Sequence, residues 1–259
     1  MFKRTTRFLQ QYQSSISDLT TKELAIISDQ IIWFIYLRSM SAFTALFAKE
    51  IRLELRQKHT FAGILMYVLA TVFVCYLSFE KIETPRTWGA LMWITGVFTA
   101  FNAMQKAFSS DGNGTQLYLY SLAHPRHVIL AKSLYNALLV AVLNVISLAF
   151  FMLFFGGEVI ATADFQQLIL GLTLGSTGLG LALTFVASLA FKSGTGVGLV
   201  AILGFPVIIP LLITIVRHTT FAIEGMSYLQ NSLNLLILVV LNLLSFVLAY
   251  ILFPYLWRE

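Results

Sequence analysis

Charge is what this chain has least of. Only 11% of its 259 residues are Asp, Glu, Lys or Arg while 58% are hydrophobic, against roughly 25% charged in a soluble domain. A chain with so little charge implies an integral membrane protein. Cys75 is the only cysteine and sits inside an apolar run, which excludes an intrachain disulfide and a Cys-x-x-Cys-His haem attachment site. The start, MFKRTTRFLQQYQ, is basic and polar, with no apolar run and no small-residue cleavage site behind it. It does not read as a secretory leader, and the N-terminus is expected in the cytoplasm. No G-x-x-x-x-G-K-[ST] motif occurs, and the glycine-rich SGTGVG at 193–198 is followed by no basic residue that would reach a phosphate. If ATP drives this protein, another chain hydrolyses it, and no catalytic residue, metal site or nucleic-acid partner is expected.

What the chain does have is apolar length. Six stretches near 60–79, 88–108, 128–156, 166–191, 195–216 and 233–256 reach the roughly 20 residues needed to cross a bilayer as helices. Lys49, Arg52, Arg56 and Lys58 precede the first span; Lys106, Arg126 and Lys132 flank the second connection; Lys192 lies in the fourth and Arg258 follows the sixth. The other connections hold only Lys81, Arg86 and Arg217, and GGEVIATADF carries Glu158 and Asp164 with no basic residue. The positive-inside rule then puts both termini in the cytoplasm. In residues 1–39, LAIISDQIIWFIYL is short and interrupted by Asp29. It reads as an interfacial or loosely ordered segment and not as a seventh span. The alternative is that translation begins at Met40 and the extension is dispensable.

The spans contain essentially no Asp, Glu, Lys or Arg, which argues against a proton- or sodium-coupled transporter. His59, His124, His127 and His218 all fall at expected span ends or in connections. Ser176 and Thr177 in GLTLGSTGLG consequently have no base within reach for protease chemistry. Gly171, Gly175, Gly178 and Gly180 with Ser176 read instead as a small-residue face for close helix packing.

Two cytoplasmic surfaces stand out. In FTALFAKEIRLELRQKH, Phe43, Phe47, Ile51 and Leu55 recur every four residues while Lys49, Arg52 and Arg56 fall on another face. Residues 40–59 are thus expected to form an amphipathic helix lying on the membrane. Its basic residues, with Lys58, would meet anionic lipid, and Glu50 and Glu54 would pair with Lys58 or a soluble partner. Between spans 2 and 3, SSDGNGT supplies turn chemistry. QLYLYSLA then forms a short helix showing Leu117, Tyr118, Leu119 and Tyr120, and Pro125 suits the first turn of span 3 ahead of Arg126. A short aromatic helix in a cytoplasmic loop fits a groove on a partner; the plainer reading is an ordinary loop on the membrane surface.

An interfacial helix, a helix-bearing loop between spans 2 and 3, and six spans with both ends cytoplasmic resemble the permease of a type-2 ABC exporter (ABC-2). LFAKEIRLELRQKHTFAGILMYVL, NAMQKAFSSDGNGTQLYLYSLAHPRHVILAKSLYNALL and the glycine-rich run from Leu170 to Leu212 resemble the haem exporter protein B (CcmB) family over about residues 42–256. The 39-residue extension and the sparsely charged SSDGNGT depart from that family. The resemblance implies an all-α permease domain over 60–256 in the bacterial inner membrane. It implies two copies of the permease with a cytoplasmic CcmA-like ATPase, CcmC-like and CcmD-like membrane subunits, and haem as substrate passed on through the chaperone CcmE. Glu50, Glu54, Leu117, Tyr118, Leu119, Tyr120, Pro125 and Arg126 would form the ATPase-docking surface. His218, following Arg217 at the outer end of span 5, is a candidate haem ligand, with a polar anchor at the headgroups as the plainer alternative. A type-2 permease for a lipid-linked glycan or drug, and a scaffold relaying ATPase motion to a haem-handling subunit, are the competing functions.

Overall fold

The computed structural model of the protein describes residues 42–56, 58–79, 82–109, 125–192 and 197–257. The chain divides into two units, Met1–Ala45 and Leu46–Glu259. Tyr118 and Tyr120 with their neighbours, and residues 1–39, lie outside the described residues. Among those described there are seven α-helices: α1 Ala42–Arg56, α2 Lys58–Ser78, α3 Pro85–Ser109, α4 Pro125–Phe155, α5 Phe165–Lys192, α6 Val197–Ile223 and α7 Tyr228–Trp257. A single 3-10 turn, Glu158–Ile160, stands between α4 and α5.

Helices occupy all six places where spans are expected, but four meet the length and hydropathy of a membrane span: Arg126–Phe155, Phe165–Ala190, Leu199–Ile223 and Tyr228–Leu252. The apolar part of α2, Ala62–Ser78, is shorter. In α3, the polar or small residues Gly89, Thr95, Gly96, Thr99 and Asn102 dilute the run. Two boundaries also move. α6 continues through Arg217 and His218 to Ile223, and α7 begins at Tyr228, ahead of the expected start. The connection between them is a compact stop and start. Gly225 takes φ +67, with Met226 N–H bonded to Phe221 O at 3.0 Å and Gly225 N–H to Ala222 O at 3.3 Å, a Schellman ending. Ser227 then donates both its N–H and its hydroxyl to Gln230 Oε1 at 3.2 Å as α7 opens.

The centre of the bundle is α5, which packs against α3, α4, α6 and α7. Its apolar window is 67% buried against 11% in α7, so α5 is enclosed by protein while α7 faces outward. Glycine makes this enclosure possible. Gly171, Gly175 and Gly178 recur at helical spacing and form one stripe. A side chain at each would meet, respectively, the ring of His218, Ile215 together with Trp93, and Leu211 together with Asn242. Each step forward on α5 is matched by a step back on α6, the register of an antiparallel pair. Gly180 falls on the opposite side, where a Cβ would lie 2.6 Å from the Cα of Ala137 on α4. The small residues therefore do not form one face, as the sequence suggested. They thin α5 on two sides so that helices can close around it.

On α1, Phe47 and Ile51 pack against the hydrophobic core. Part of the stripe expected to enter the headgroup layer is thus turned onto protein.

Gly180→Ala is expected to lower the thermal midpoint of the purified protein, because the added methyl meets backbone and costs about 1–3 kcal/mol of overpacking. Gly157→Ala, where nothing lies within 4 Å, is expected to leave the midpoint unchanged.

Candidate functional site: a hydrogen-bonded clasp at one end of the bundle

The connections 82–84, 156–164 and 224–227 gather at one end. Asp164 N–H donates to Ala222 O at 2.8 Å, Thr162 Oγ1 to Ile223 O at 3.1 Å, and Trp88 Nε1 to Phe155 O at 3.2 Å. Aromatic rings cover α2, α3 and α4 here: Trp88 meets Phe151 edge-on at 5.1 Å, and Tyr76 meets Phe154 at 5.2 Å. Such rings suit the boundary between hydrocarbon and headgroups.

Beneath these loops is a polar network centred on Gln167, with Asp164 its one charged member. The Asp164 carboxylate caps α5 by accepting from Gln166 N–H at 3.0 Å and Gln167 N–H at 3.1 Å. The Gln167 side chain turns back to Asp164 Oδ2 at 2.9 Å and also donates to Met226 O at 2.8 Å. Its Oε1 accepts from Asn231 Nδ2 at 3.0 Å, and Asn234 Nδ2 donates to Asn231 Oδ1 at 3.0 Å. His218 joins from α6: Nε2 lies 3.1 Å from Gln167 O. Because that carbonyl only accepts, the proton sits on Nε2. At the next residue of α6, Trp93 Nε1 donates to Thr219 Oγ1 at 2.8 Å, adding α3 to the tie. Gln167, His218, Thr219, Asn231 and Asn234 are all buried. In hydrocarbon an unpaired amide costs several kcal/mol, and here the amides of Gln167, Asn231 and Asn234 pair with one another or with backbone, while His218 Nδ1 has no hydrogen-bond partner among the described residues.

The hydrogen bonds from the Gln167 side chain, then its backbone N–H, hold the Asp164 carboxyl below the ordinary aspartate range. Beside this end an open groove of about 620 Å³ runs along α7, with Gln167 and Asn231 on its floor and Leu229, Leu233, Leu236 and Val239 among its walls.

Of the candidate site residues named from the sequence, only His218 takes part in this clasp, and it stands elsewhere than expected. Its ring is fully buried against Gly171, inside α6 and not at a headgroup surface, because α6 runs on past it. Nε2 is taken up by the Gln167 carbonyl, and Nδ1 has no hydrogen-bond partner among the described residues. Arg217 points the other way, exposed, with its guanidinium 5.6 Å from the Phe221 ring centre. At the far end of the bundle Pro125 opens α4, and Arg126 lies 5.2 Å from the Tyr250 ring centre. On α1, Glu50 pairs with its neighbour Lys49 at 3.4 Å, and Arg52 is exposed. The side chains of Glu54, Arg56 and Lys58, and the whole of Leu117, Tyr118, Leu119 and Tyr120, lie outside the described residues. A search of the spans for charge passes over the amides of Gln167, Asn231 and Asn234, because they are neutral. The spacing Asp164-x-x-Gln167, a helix-capping pattern, was the available signal.

Asn231→Leu strands Gln167 Oε1 and the Asn234 amide and is expected to cost about 1–3 kcal/mol per group left unpaired, read as a lower thermal midpoint. Asp164 predicts a pH effect. A carboxyl whose folded pKa is depressed contributes stability above its unfolded pKa and loses it as pH falls through the folded value. The stability difference between the parent and Asp164→Asn should be largest near neutrality and vanish in acid below the ordinary aspartate range.

The family described as CcmB protein matches residues 41–254. No curated protein sequence matches the chain. The matched region takes in all of α1 to α6 and most of α7, and so contains the glycine-thinned α5 and the clasp around it. With an all-helical bundle of apolar helices and a family match over most of its length, the chain belongs to the CcmB family of transmembrane ABC permease subunits that serve haem export in cytochrome c maturation.

Proposed function

We propose that this chain is the membrane subunit of an ATP-driven exporter. It would cross the bacterial inner membrane six times with both termini in the cytoplasm, and a separate CcmA-like ATPase would hydrolyse the ATP. The match to the CcmB family over residues 41–254 carries this reading. Six consecutive helices in the expected places, α2 to α7, support it. The family's complex would supply the remaining parts: a second copy of the permease, CcmC-like and CcmD-like subunits, haem as substrate, and the chaperone CcmE as its receiver.

The clasp suggests how motion is distributed. Lys/Arg asymmetry along the sequence favours an external position for the clasp, where buried hydrogen bonds join α5, α6 and α7. A push from an ATPase on the cytoplasmic side would then swing the opposite ends of the helices about the clasp. Interfaces that move in this way are bistable and shift as units. A relay scaffold is the second reading, favoured by one observation. The groove beside the clasp is walled by leucine and valine, and none of its described lining residues is a cation that would meet a haem propionate.

In this reading the segment around Tyr118 and Tyr120 docks the ATPase. Tyr118→Ala with Tyr120→Ala should remove two aromatic anchors of about 2 kcal/mol each. The permease should remain in the membrane while the ATPase is lost from copurification at matched membrane levels. Reversal of Glu50 and Glu54 should do less, since exposed pairs contribute about 0–1 kcal/mol. Retention of the ATPase with normal cytochrome c maturation in the double tyrosine variant would refute the docking assignment.

A further inference from the structure

The inward side of α4 is polar in an unusual way. Ser133, Asn136, Val140, Asn144 and Ser147 are spaced three or four residues apart, so they share one stripe, and all five are buried. Asn136 Nδ2 donates to Thr184 Oγ1 at 3.0 Å, and Asn144 Nδ2 to Ser176 Oγ at 3.0 Å. Four other atoms of the stripe, Ser133 Oγ, Asn136 Oδ1, Asn144 Oδ1 and Ser147 Oγ, have no hydrogen-bond partner among the described residues. They fall in two pairs, with Val140 between them.

The lower pair, nearer the cytoplasmic end, is the better defined. Thr184 gives its hydroxyl proton to Gly180 O at 2.6 Å, so towards Asn136 it can only accept. This fixes the amide with Nδ2 towards Thr184 and leaves Oδ1 as the bare acceptor. Turning the amide over would merely transfer the deficit to nitrogen. Ser133 Oγ stands one turn away on the same stripe. Neutral acceptors buried in a membrane bundle are costly unless paired, and a site with several convergent polar atoms suits water. Glycine again makes room at the upper pair, where a Cβ on Gly96 would press within 2.9 Å of Asn144 Oδ1.

We propose that Ser133 and Asn136 of α4, facing Thr184 of α5, form an internal water-binding site about 16 Å along α4 from its start at 1.5 Å per residue. Asn144 and Ser147 repeat the chemistry beyond Val140. Val140 separates the two pairs, so the water does not form a continuous file across the membrane. Water at the lower site gives the α4–α5 contact exchangeable hydrogen-bond partners in the half of the bundle away from the clasp.

Met104 provides a native reporter, since it is fully buried and its sulfur lies 3.5 Å from Thr184 Oγ1. The test is hydroxyl-radical footprinting by X-ray radiolysis of the full chain in phospholipid nanodiscs, with methionine oxidation read by mass spectrometry. Radicals form from water, so Met104 should oxidise several-fold faster than Met66, which is 66% exposed on the apolar outside of α2. Asn136→Leu should reduce Met104 oxidation to the Met66 level. The site is refuted if Met104 in the parent chain oxidises no faster than Met66, a result that needs no variant to fold. Oxidation that persists unchanged in folded Asn136→Leu would also overturn it. Neither readout depends on transport or on the identity of the substrate.

Discussion

The closeness with which other helices can approach α5 governs this bundle. Lipid tails are as apolar as leucine, so helices in a bilayer gain little from the hydrophobic effect and depend on intimate packing and interhelical hydrogen bonds. Gly171, Gly175 and Gly178 let α6 lie against one side of α5, and Gly180 lets α4 lie against the other. Once the backbones are this near, short amide and hydroxyl side chains reach across. Asn242 of α7, for example, donates to Leu174 O at 3.0 Å and accepts from Thr177 Oγ1 at 3.1 Å. The hydrogen bonds depend on the glycines.

From that constraint follows an asymmetry between the two ends. At the clasp, the Gln167 side chain takes part in three hydrogen bonds, and loop backbone groups tie 162–164 to 222–223. Along the α4–α5 contact, by contrast, Ser133 Oγ and Asn136 Oδ1 in the far half, and Asn144 Oδ1 and Ser147 Oγ nearer the clasp, are unmatched among the described residues. In the proposed ATP-driven reading, the clasped end would stay closed while the other end exchanges hydrogen bonds. Apart from the Asp164 carboxylate, the polar groups of the clasp are amides, hydroxyls and one imidazole, which suits the proposed supply of energy by a partner ATPase.

Much of the architecture was legible in the sequence. Long apolar runs placed the helices, and the charged KEIRLELRQK marked an amphipathic helix before them. The count of spans was less secure, because α3 spends its length on Thr, Gly, Trp and Asn, residues that serve helix packing at the cost of hydropathy. The end of span 5 was misplaced for a related reason. Arg217 and His218 look like a polar terminus, yet helix α6 continues until Gly225 supplies the left-handed stop. The clasp was not read because it contains one charged residue, Asp164, and depends on pairings between helices that a single sequence does not reveal.

If the clasp is a fixed point, its end of the bundle stays joined while the other end moves. The most direct test is pulsed electron-paramagnetic distance measurement in a chain carrying Cys75→Ala. One spin-label pair would sit at Ala161 and Glu224 beside the clasp, and another at Arg126 and Ile251 at the far end, all of them exposed. Measured in the assembled complex with and without ATP on the partner ATPase, the 161–224 distance should stay fixed while the 126–251 distance shifts. A shift at 161–224 with no change at 126–251 would contradict a fixed clasp.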